Sequence, residues 1–313
     1  MALADAELIL PAPEMAAGGA YVDGAFVPIE DAKISVMDFG VTRSDCTYDV
    51  VSVWQGRFFR LDKHLDRFIA SCERLRLALP LSRAELEAML HRLVALTGLE
   101  DAYVSMTLTR GRPRPNGPRR DPRACVPTFY AYAIPFVWLV DEPTRANGIG
   151  LKIADTVTRI SRRSVDQRTK NYHWLDLEMA LIDALDDGAD AVVLKDDEGH
   201  ITEGPGYNVF AYKDGVWSTP DTNILEGITR ATVLDMLSEM NVGAAVRPMV
   251  PDDLFGAEEV LVTSTAGGVM PVTRVNGAPV GDGAPGPQFE RLKALYWEKH
   301  TDPAWSVPVD RKV

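Results

Sequence analysis

Cysteine is scarce in this chain of 313 residues: only Cys46, Cys72 and Cys125 occur, with no C-x-x-C spacing. A disulfide framework and a structural zinc site are therefore disfavoured, and a reducing, cytoplasmic setting is expected. The five histidines, His64, His91, His173, His200 and His300, are scattered, so a clustered metal site has no support. There is no P-loop, no H-E-x-x-H, no strand-to-helix G-x-G-x-x-G and no G-x-S-x-G. No apolar run is long enough to cross a bilayer as a helix, and no membrane partner is expected. The opening MALADAELILPAPEM has no basic n-region and does not resemble a secretory signal. A net charge of −12 argues against nucleic acid as a partner. What is present, 46% apolar and 25% charged residues, is ordinary globular composition, and disorder is excluded.

The length suggests two domains. We expect a small N-terminal domain over 1–140, with residues 1–19 as a loosely held Ala- and Pro-rich arm. The polar DEPTRAN segment at 141–147 reads as a linker, and a larger domain covers 148–313. Asp23-Gly24 between short apolar runs predicts a hairpin over Tyr21–Val27, and Gln55-Gly56 joins the strands Tyr48–Trp54 and Phe58–Leu61. Leu65, Phe68, Ile69, Cys72, Leu75 and Leu79 recur at helical spacing. Ser82-Arg83-Ala84-Glu85 is a capping box for a helix that Gly98 ends, its apolar face made by Leu86, Met89, Leu90 and Leu93. Strands follow at Tyr103–Thr109 and Thr128–Leu139, around an Arg- and Pro-rich loop. The second half reads as strand, loop, a helix over 174–186, and strands at 191–194, 200–203 and 207–212. Hairpin turns at Asp214-Gly215 and Asn276-Gly277, a helix from Ile228, a strand at 259–263 and a final helix at 287–299 complete it. Helices and hairpins without a regular βαβ alternation indicate an α+β fold.

The chemistry narrows to one lysine and several anion-binding features. Most lysines lie in polar or turn settings, but Lys170 sits in Thr169-Lys170-Asn171-Tyr172-His173-Trp174, among aromatics just before an apolar helix. Desolvation there would lower an amine's pKa, as a Schiff-base nucleophile requires; a stem snorkelling past Trp174 is the alternative. Gly227-Ile228-Thr229-Arg230 opens a helix and could seat a phosphate, or be a plain glycine turn with its N-cap. Ser264-Thr265-Ala266-Gly267-Gly268 follows a strand and offers hydroxyls with little side-chain bulk, as an ordinary loop also would. Glu203 stands at a strand end beside Gly204 and Gly206, where a surface acid is the simpler assignment. Arg67 lies early in its helix and could face an anion, or simply be solvated or ion-paired.

Together these segments resemble the class IV, fold-type IV, pyridoxal-phosphate aminotransferases, from about Tyr21 to the C-terminus. Phe59-Arg60-Leu61-Asp62-Lys63-His64-Leu65-Asp66-Arg67 is similar to the segment whose arginine holds the cofactor phosphate, which implies that role for Arg67. Lys170-Asn171-Tyr172 resembles the lysine motif, so Lys170 becomes the Schiff-base residue. Thr202-Glu203-Gly204-x-Gly206-x-Asn208 resembles the segment whose glutamate faces the pyridine nitrogen. Gly227-Ile228-Thr229-Arg230 and Thr265-Ala266-Gly267-Gly268 resemble the remaining phosphate turns. The resemblance thus implies pyridoxal 5'-phosphate as cofactor, held through Arg67, Glu203, Asn208, Gly227, Ile228, Thr229, Ser264 and Thr265. It also implies a small N-terminal α/β domain and a larger domain with a mixed, barrel-like β core.

Within the class, Thr47–Trp54, Asn171–Trp174 and Gly267–Val272 are most similar to the (R)-selective amine transaminases. The E-G-x-R pattern of branched-chain enzymes is missing around Thr47–Val50, and Val41 stands near the place of the D-amino-acid enzymes' substrate tyrosine. Arg43 replaces the histidine usual in the (R)-amine relatives, and the loop Arg110–Arg123 resembles no relative closely. The implied activity is ping-pong transfer from an (R)-amine or D-amino acid to a 2-oxo acid such as pyruvate. A D- or branched-chain amino-acid aminotransferase, or a lyase resembling aminodeoxychorismate lyase, is the alternative. Arg43, Tyr48, Val50, Arg112, Arg114, Trp174 and Ala266 are the implied substrate-pocket residues. A homodimer with its active site at the interface is implied as well.

Overall fold

A computed structural model describes residues 8–118 and 120–312, so expectations that fall on Met1–Glu7 and on Arg119 lie outside the described residues. The chain divides into two compact units. The first comprises Met1–Val137, Thr169–Tyr172 and His300–Val313, and the second Trp138–Arg168 and His173–Lys299. The segment expected as a linker forms a short helix, Glu142–Asn147, whose N-cap Asp141 accepts from the Thr144 N–H. In the first unit the Ala12 N–H donates to the Leu96 carbonyl, and Met15 is buried.

The first unit is an antiparallel sheet backed by helices. Its elements are β1 (Gly19–Val22), β2 (Ala25–Pro28), α1 (Phe39–Arg43), β3 (Cys46–Trp54), β4 (Arg57–Phe59), α2 (Leu61–Arg74), α3 (Arg83–Thr97), β5 (Ala102–Pro113) and β6 (Cys125–Pro135). The strand order is Ser306–Pro308, β4, β3, β5, β6, β1, β2. Both expected hairpin turns form, with positive φ at Asp23 (50°) and Gly24 (81°) and at Gln55 (49°) and Gly56 (70°), the conformation that suits right-twisted strands. Alternation along the strands gives the sheet two unlike faces. Val51, Val53, Val104, Met106, Leu108 and Ala131 join Leu65, Phe68 and Cys72 of α2 and Leu86, Leu90 and Leu93 of α3 in one core. Each fully buried Leu or Phe there contributes about 1.5–3 kcal/mol. The capping box on α3 is present as expected, and Gly98 ends the helix at φ 72°. The preceding helix is shorter than its periodicity suggests. α2 stops at Arg74; Arg76 turns left-handed at φ 54°, and the Leu77 N–H bonds back to the Cys72 carbonyl. That closing motif buries Leu77, while Leu79 stays half-exposed beyond the helix.

The second unit is built on a mixed sheet. After α4 (Glu142–Asn147) come β7 (Ile149–Thr158), α5 (Leu175–Asp186), β8 (Ala191–Lys195), β9 (Glu203–Gly204), β10 (Tyr207–Lys213), β11 (Val216–Thr219), α6 (Ile228–Glu239), β12 (Gly243–Val246), α7 (Pro251–Phe255), β13 (Glu259–Ser264), β14 (Gly268–Val275), β15 (Ala278–Pro279) and α8 (Pro287–Lys299). The order β12-β11-β10-β13-β14-β7-β8 contains three parallel pairs, β11 with β12, β14 with β7 and β7 with β8. β8 is buried on both faces: Val193 enters the core with Val209, Val260 and Val262, while Val192 and Leu194 pack under Leu177, Ala180 and Ala184 of α5. The strand expected at 200–203 is reduced to Glu203–Gly204, because Ile201 makes only a single bridge to Lys195. One antiparallel and one mixed sheet, with helices interspersed, make the α+β fold class. Among the described residues no helix is long and apolar enough to cross a membrane, and no His, Cys, Asp and Glu side chains group as a metal site would need.

Candidate active site

In the first unit the lysine segment is held by its backbone. The Lys170 carbonyl accepts from Thr47 Oγ1 at 2.7 Å and from the Tyr48 N–H at 3.1 Å. The lysine side chain is half-buried, with Nζ 4.6 Å from the centre of the Tyr48 ring. Tyr48 in turn lies against Tyr172, ring centres 4.5 Å apart, and the Tyr172 hydroxyl meets Thr107 Oγ1 at 3.1 Å. Burial drives the Tyr172 hydroxyl far above the ordinary tyrosine value, so it stays protonated. Strand register puts Thr107, Ser105 and Tyr103 of β5 opposite Tyr48, Val50 and Ser52, with Tyr130 and Tyr132 of β6 next in line. The sheet face beside Lys170 is thus aromatic, aliphatic and hydroxylic. Ser105 Oγ on that face is buried and has no hydrogen-bond partner, an orphaned donor of the kind a bound molecule satisfies.

The opposite face of β3 carries Asp49, fully buried and the only charged residue of the strand. The Arg67 guanidinium grips it with two bonds, Nε to Oδ2 at 2.7 Å and Nη2 to Oδ1 at 2.8 Å, while His64 Nδ1 lies 2.7 Å from Oδ1. Burial alone pushes Asp49 upward, but the charge and hydrogen bonds of Arg67, with His64, hold it well below the usual carboxylate range. Burial pulls His64 below its ordinary value against the opposing pull of Asp49, and the charges of Arg67 and Lys170 lower it further. A neutral His64 therefore donates Nδ1–H to Asp49. Arg67, expected at the cofactor phosphate, is fixed in place by this carboxylate.

The other residues of this unit expected in the substrate pocket are exposed. Arg43 is exposed, its guanidinium 3.6 Å from the centre of the Phe39 ring on the same short helix. Arg112 and Arg114 are exposed, at the end of β5 and just beyond it.

In the second unit Glu203 on β9 is buried at 5% exposure. Its Oε2 accepts from the Leu225 N–H at 2.8 Å, and Oε1 accepts from Arg159 Nε at 3.1 Å. Asn208 holds the same loop, Nδ2 donating to the Leu225 carbonyl at 2.9 Å. A Cβ at Gly227 would collide with Asn208 Oδ1, so only glycine fits where this amide braces the turn. Asn208 thereby shapes the turn that opens α6. Gly227 is the N-cap of α6 and, having no side chain, caps none of the first N–H groups, from Ile228 onward. Thr229 is buried and hydrogen-bonds Tyr296, whose ring excludes any side chain at Gly268 (φ 72°). Ser264 Oγ donates to the Gly206 carbonyl at 2.9 Å and accepts from the Ala266 N–H at 3.1 Å, shaping the turn that presents half-buried Thr265 and Ala266. Trp174, at the N-cap of α5, packs over Gly206.

An uncapped amino terminus on a twelve-residue helix suits a dianionic phosphate. A buried glutamate held by an arginine suits a protonated heterocyclic nitrogen, and a lysine among aromatics suits capture of an aldehyde. The residues present therefore fit pyridoxal phosphate. Asp49, His64, Arg159, Asp176 and Tyr296 were missed in the sequence. A lone charge inside the β-branched and aromatic run Cys46–Trp54 is the signal for Asp49, since a buried anion demands a cation.

The amino-transferase class IV family profile matches residues 47–275. A provisionally named branched-chain-amino-acid aminotransferase of Methanocaldococcus jannaschii is 32% identical over 292 residues, 92% of this chain and 98% of that protein. A D-alanine aminotransferase of Bacillus licheniformis is 30% identical over 87% of this chain and 93% of its own. Among solved structures, the T.th. branched-chain amino acid aminotransferase with pyridoxamine 5'-phosphate superposes at a TM-score of 0.87, with 28% identity, covering 94% of this chain and 99% of that one.

Proposed function

Because this chain belongs to the class IV aminotransferases, enzymes that use pyridoxal phosphate, we propose that it moves an amino group from an (R)-amine, or from a D-amino acid, to a 2-oxo acid such as pyruvate. The observation that carries this choice is the sheet face beside Lys170. Tyr48, Val50, Ser105, Thr107, Tyr130 and Tyr132 offer rings, a branched alkyl group and hydroxyls, and none of these six is cationic. A donor carboxylate on that face would lose water without gaining a charge partner from these six, whereas an aryl or alkyl group gains stacking and burial, which favours the (R)-amine over the D-amino acid.

Pyridoxal phosphate supplies an aldehyde that captures the donor nitrogen and a protonated ring that draws electrons from the neighbouring carbon. Lys170 Nζ carries the cofactor; it is also the base that takes the proton from the amine-bearing carbon and the acid that returns one to the acceptor carbon. Glu203 holds the ring nitrogen in its protonated form. The first N–H groups of α6, with Thr229, Thr265 and the charge of Arg67, anchor the phosphate and so fix the ring. Donor and acceptor bind in turn, a ping-pong sequence. A homodimer and a cytoplasmic setting belong to the same proposal; light scattering at twice the chain's 34.4 kDa tests the first.

Incubation with (R)-1-arylethylamine and pyruvate should release the aryl ketone, with the (S)-amine at least about a hundredfold slower, a discrimination of ~2.7 kcal/mol. Ketone release from neither amine, with brisk turnover of D-alanine or branched-chain amino acids, would instead establish the second reading, which the named relatives favour. Arg112 and Arg114 are proposed to pair with the acceptor's carboxylate. Replacing both with alanine should raise the pyruvate KM about tenfold and leave cofactor affinity unchanged. An unaltered KM would remove the loop from the substrate site.

A further inference from the structure

Glu203 does not stand alone in the second unit. Arg159, which directly follows β7, is buried at 7% exposure, and its own N–H is tied to the Lys195 carbonyl. Its guanidinium reaches two acids at once. Nε and Nη2 lie 3.1 Å from Glu203 Oε1, while Nη1 donates to Asp176 Oδ2 at 2.6 Å. Asp176, in the first turn of α5, also accepts the Ile160 N–H at 2.7 Å. The cluster therefore joins the end of β7, the start of α5, β9 and, through the Leu225 N–H, the loop before α6.

The arithmetic of charge is one cation between two anions. A carboxylate buried without a cation takes up a proton. Arg159 beside it keeps Glu203 ionised and, with the Leu225 N–H, fixes both of its oxygens. Asp176 draws the far edge of the fork, so Arg159 cannot turn wholly onto Glu203 and cancel its charge. We propose that Arg159 is a positioning residue, balanced by Asp176, that sets the charge and direction of the Glu203 carboxylate. The proposal rests on the assignment of Glu203 to the ring nitrogen. It adds that the acidity of that nitrogen is governed by an arginine that never touches the cofactor.

The test compares holoenzymes carrying Arg159→Ala, Arg159→Met, Arg159→Lys, Glu203→Gln and the double change Arg159→Ala with Glu203→Gln. The readouts are the pH titration of the cofactor's visible absorbance, the dissociation constant for pyridoxal phosphate on the apoenzyme, and kcat and KM. Arg159→Ala should reproduce the titration shift of Glu203→Gln and lower kcat about a hundredfold, with the donor KM little changed. Arg159→Lys should restore most of the titration, and Arg159→Ala added to Glu203→Gln should lower kcat no further. If Arg159→Ala does not fold, Arg159→Met, which keeps the stem and removes the charge, takes its place. A wild-type titration in Arg159→Ala or Arg159→Met, alongside a shifted one in Glu203→Gln, would overturn the proposal and leave Arg159 a brace. A wild-type titration in Glu203→Gln itself would instead remove Glu203 from the ring nitrogen, and this proposal with it.

Discussion

Replacing Lys170 with alanine is expected to lower transamination by about four orders of magnitude, the upper range for loss of a proton-transferring side chain, and to abolish covalent capture of the cofactor. Borohydride reduction followed by peptide mass analysis should find the phosphopyridoxyl mass on the Lys170 peptide of the wild type and nowhere on the variant. The fold should survive the change, because Thr47 and Tyr48 hold the segment through the Lys170 carbonyl, which alanine keeps. The side chain's contact with the Tyr48 ring contributes about 0.5–1 kcal/mol of the stability that alanine gives up. A variant that retained cofactor through borohydride treatment, or kept more than a tenth of the activity, would remove Lys170 from the chemistry.

Asp49→Ala should be among the most damaging single changes to stability. It strands the Arg67 guanidinium and the His64 imidazole without their shared anion inside the first unit, at a cost of about 3–5 kcal/mol in urea unfolding of the apoenzyme. The pH dependence follows from the shifts. Asp49 is depressed by Arg67 and His64 against the upward push of burial. Its contribution is complete above the ordinary carboxylate value of 3.8 and is lost as pH falls below it. His64 is depressed chiefly by burial, so its neutral form stabilises the fold above its ordinary 6.5, and that contribution drains away as pH falls from there. In both cases the unfolded chain binds the proton first, so stability rises with pH. Wild-type unfolding midpoints should therefore drop on acidification, first through His64 and then through Asp49. The limb below pH 4 should flatten in Asp49→Ala. An equal acid limb in both proteins would show that the Asp49 pair carries no such load.

The periodic elements were legible because their signals are local. Asp23-Gly24 and Gln55-Gly56 dictate their turns, and Ser82 with Glu85 dictates the start of α3. Five ordered motifs disclosed the family and its cofactor. The errors in secondary structure came where a short-range bond beats periodicity. Leu75 and Leu79 continue the helical spacing of α2, but the Leu77 to Cys72 closure ends the helix first. The polar clusters were the least legible. Arg159 is separated from Glu203 by 44 positions and from Asp176 by 17, and no local pattern couples them. Arg67 and Asp49 lie on different elements, 18 positions apart, so the ion pair exists only once α2 has packed on β3.

The first unit is discontinuous in sequence. The four residues Thr169–Tyr172, which include Lys170, and the edge strand Ser306–Pro308 join it from beyond the main segment. During synthesis this half cannot finish folding until Ser306–Pro308 has left the ribosome. A chain cut at Val137 would lack both the Lys170 segment and one border of its sheet. Any attempt to express that half by itself, or to graft it elsewhere, must supply all three pieces.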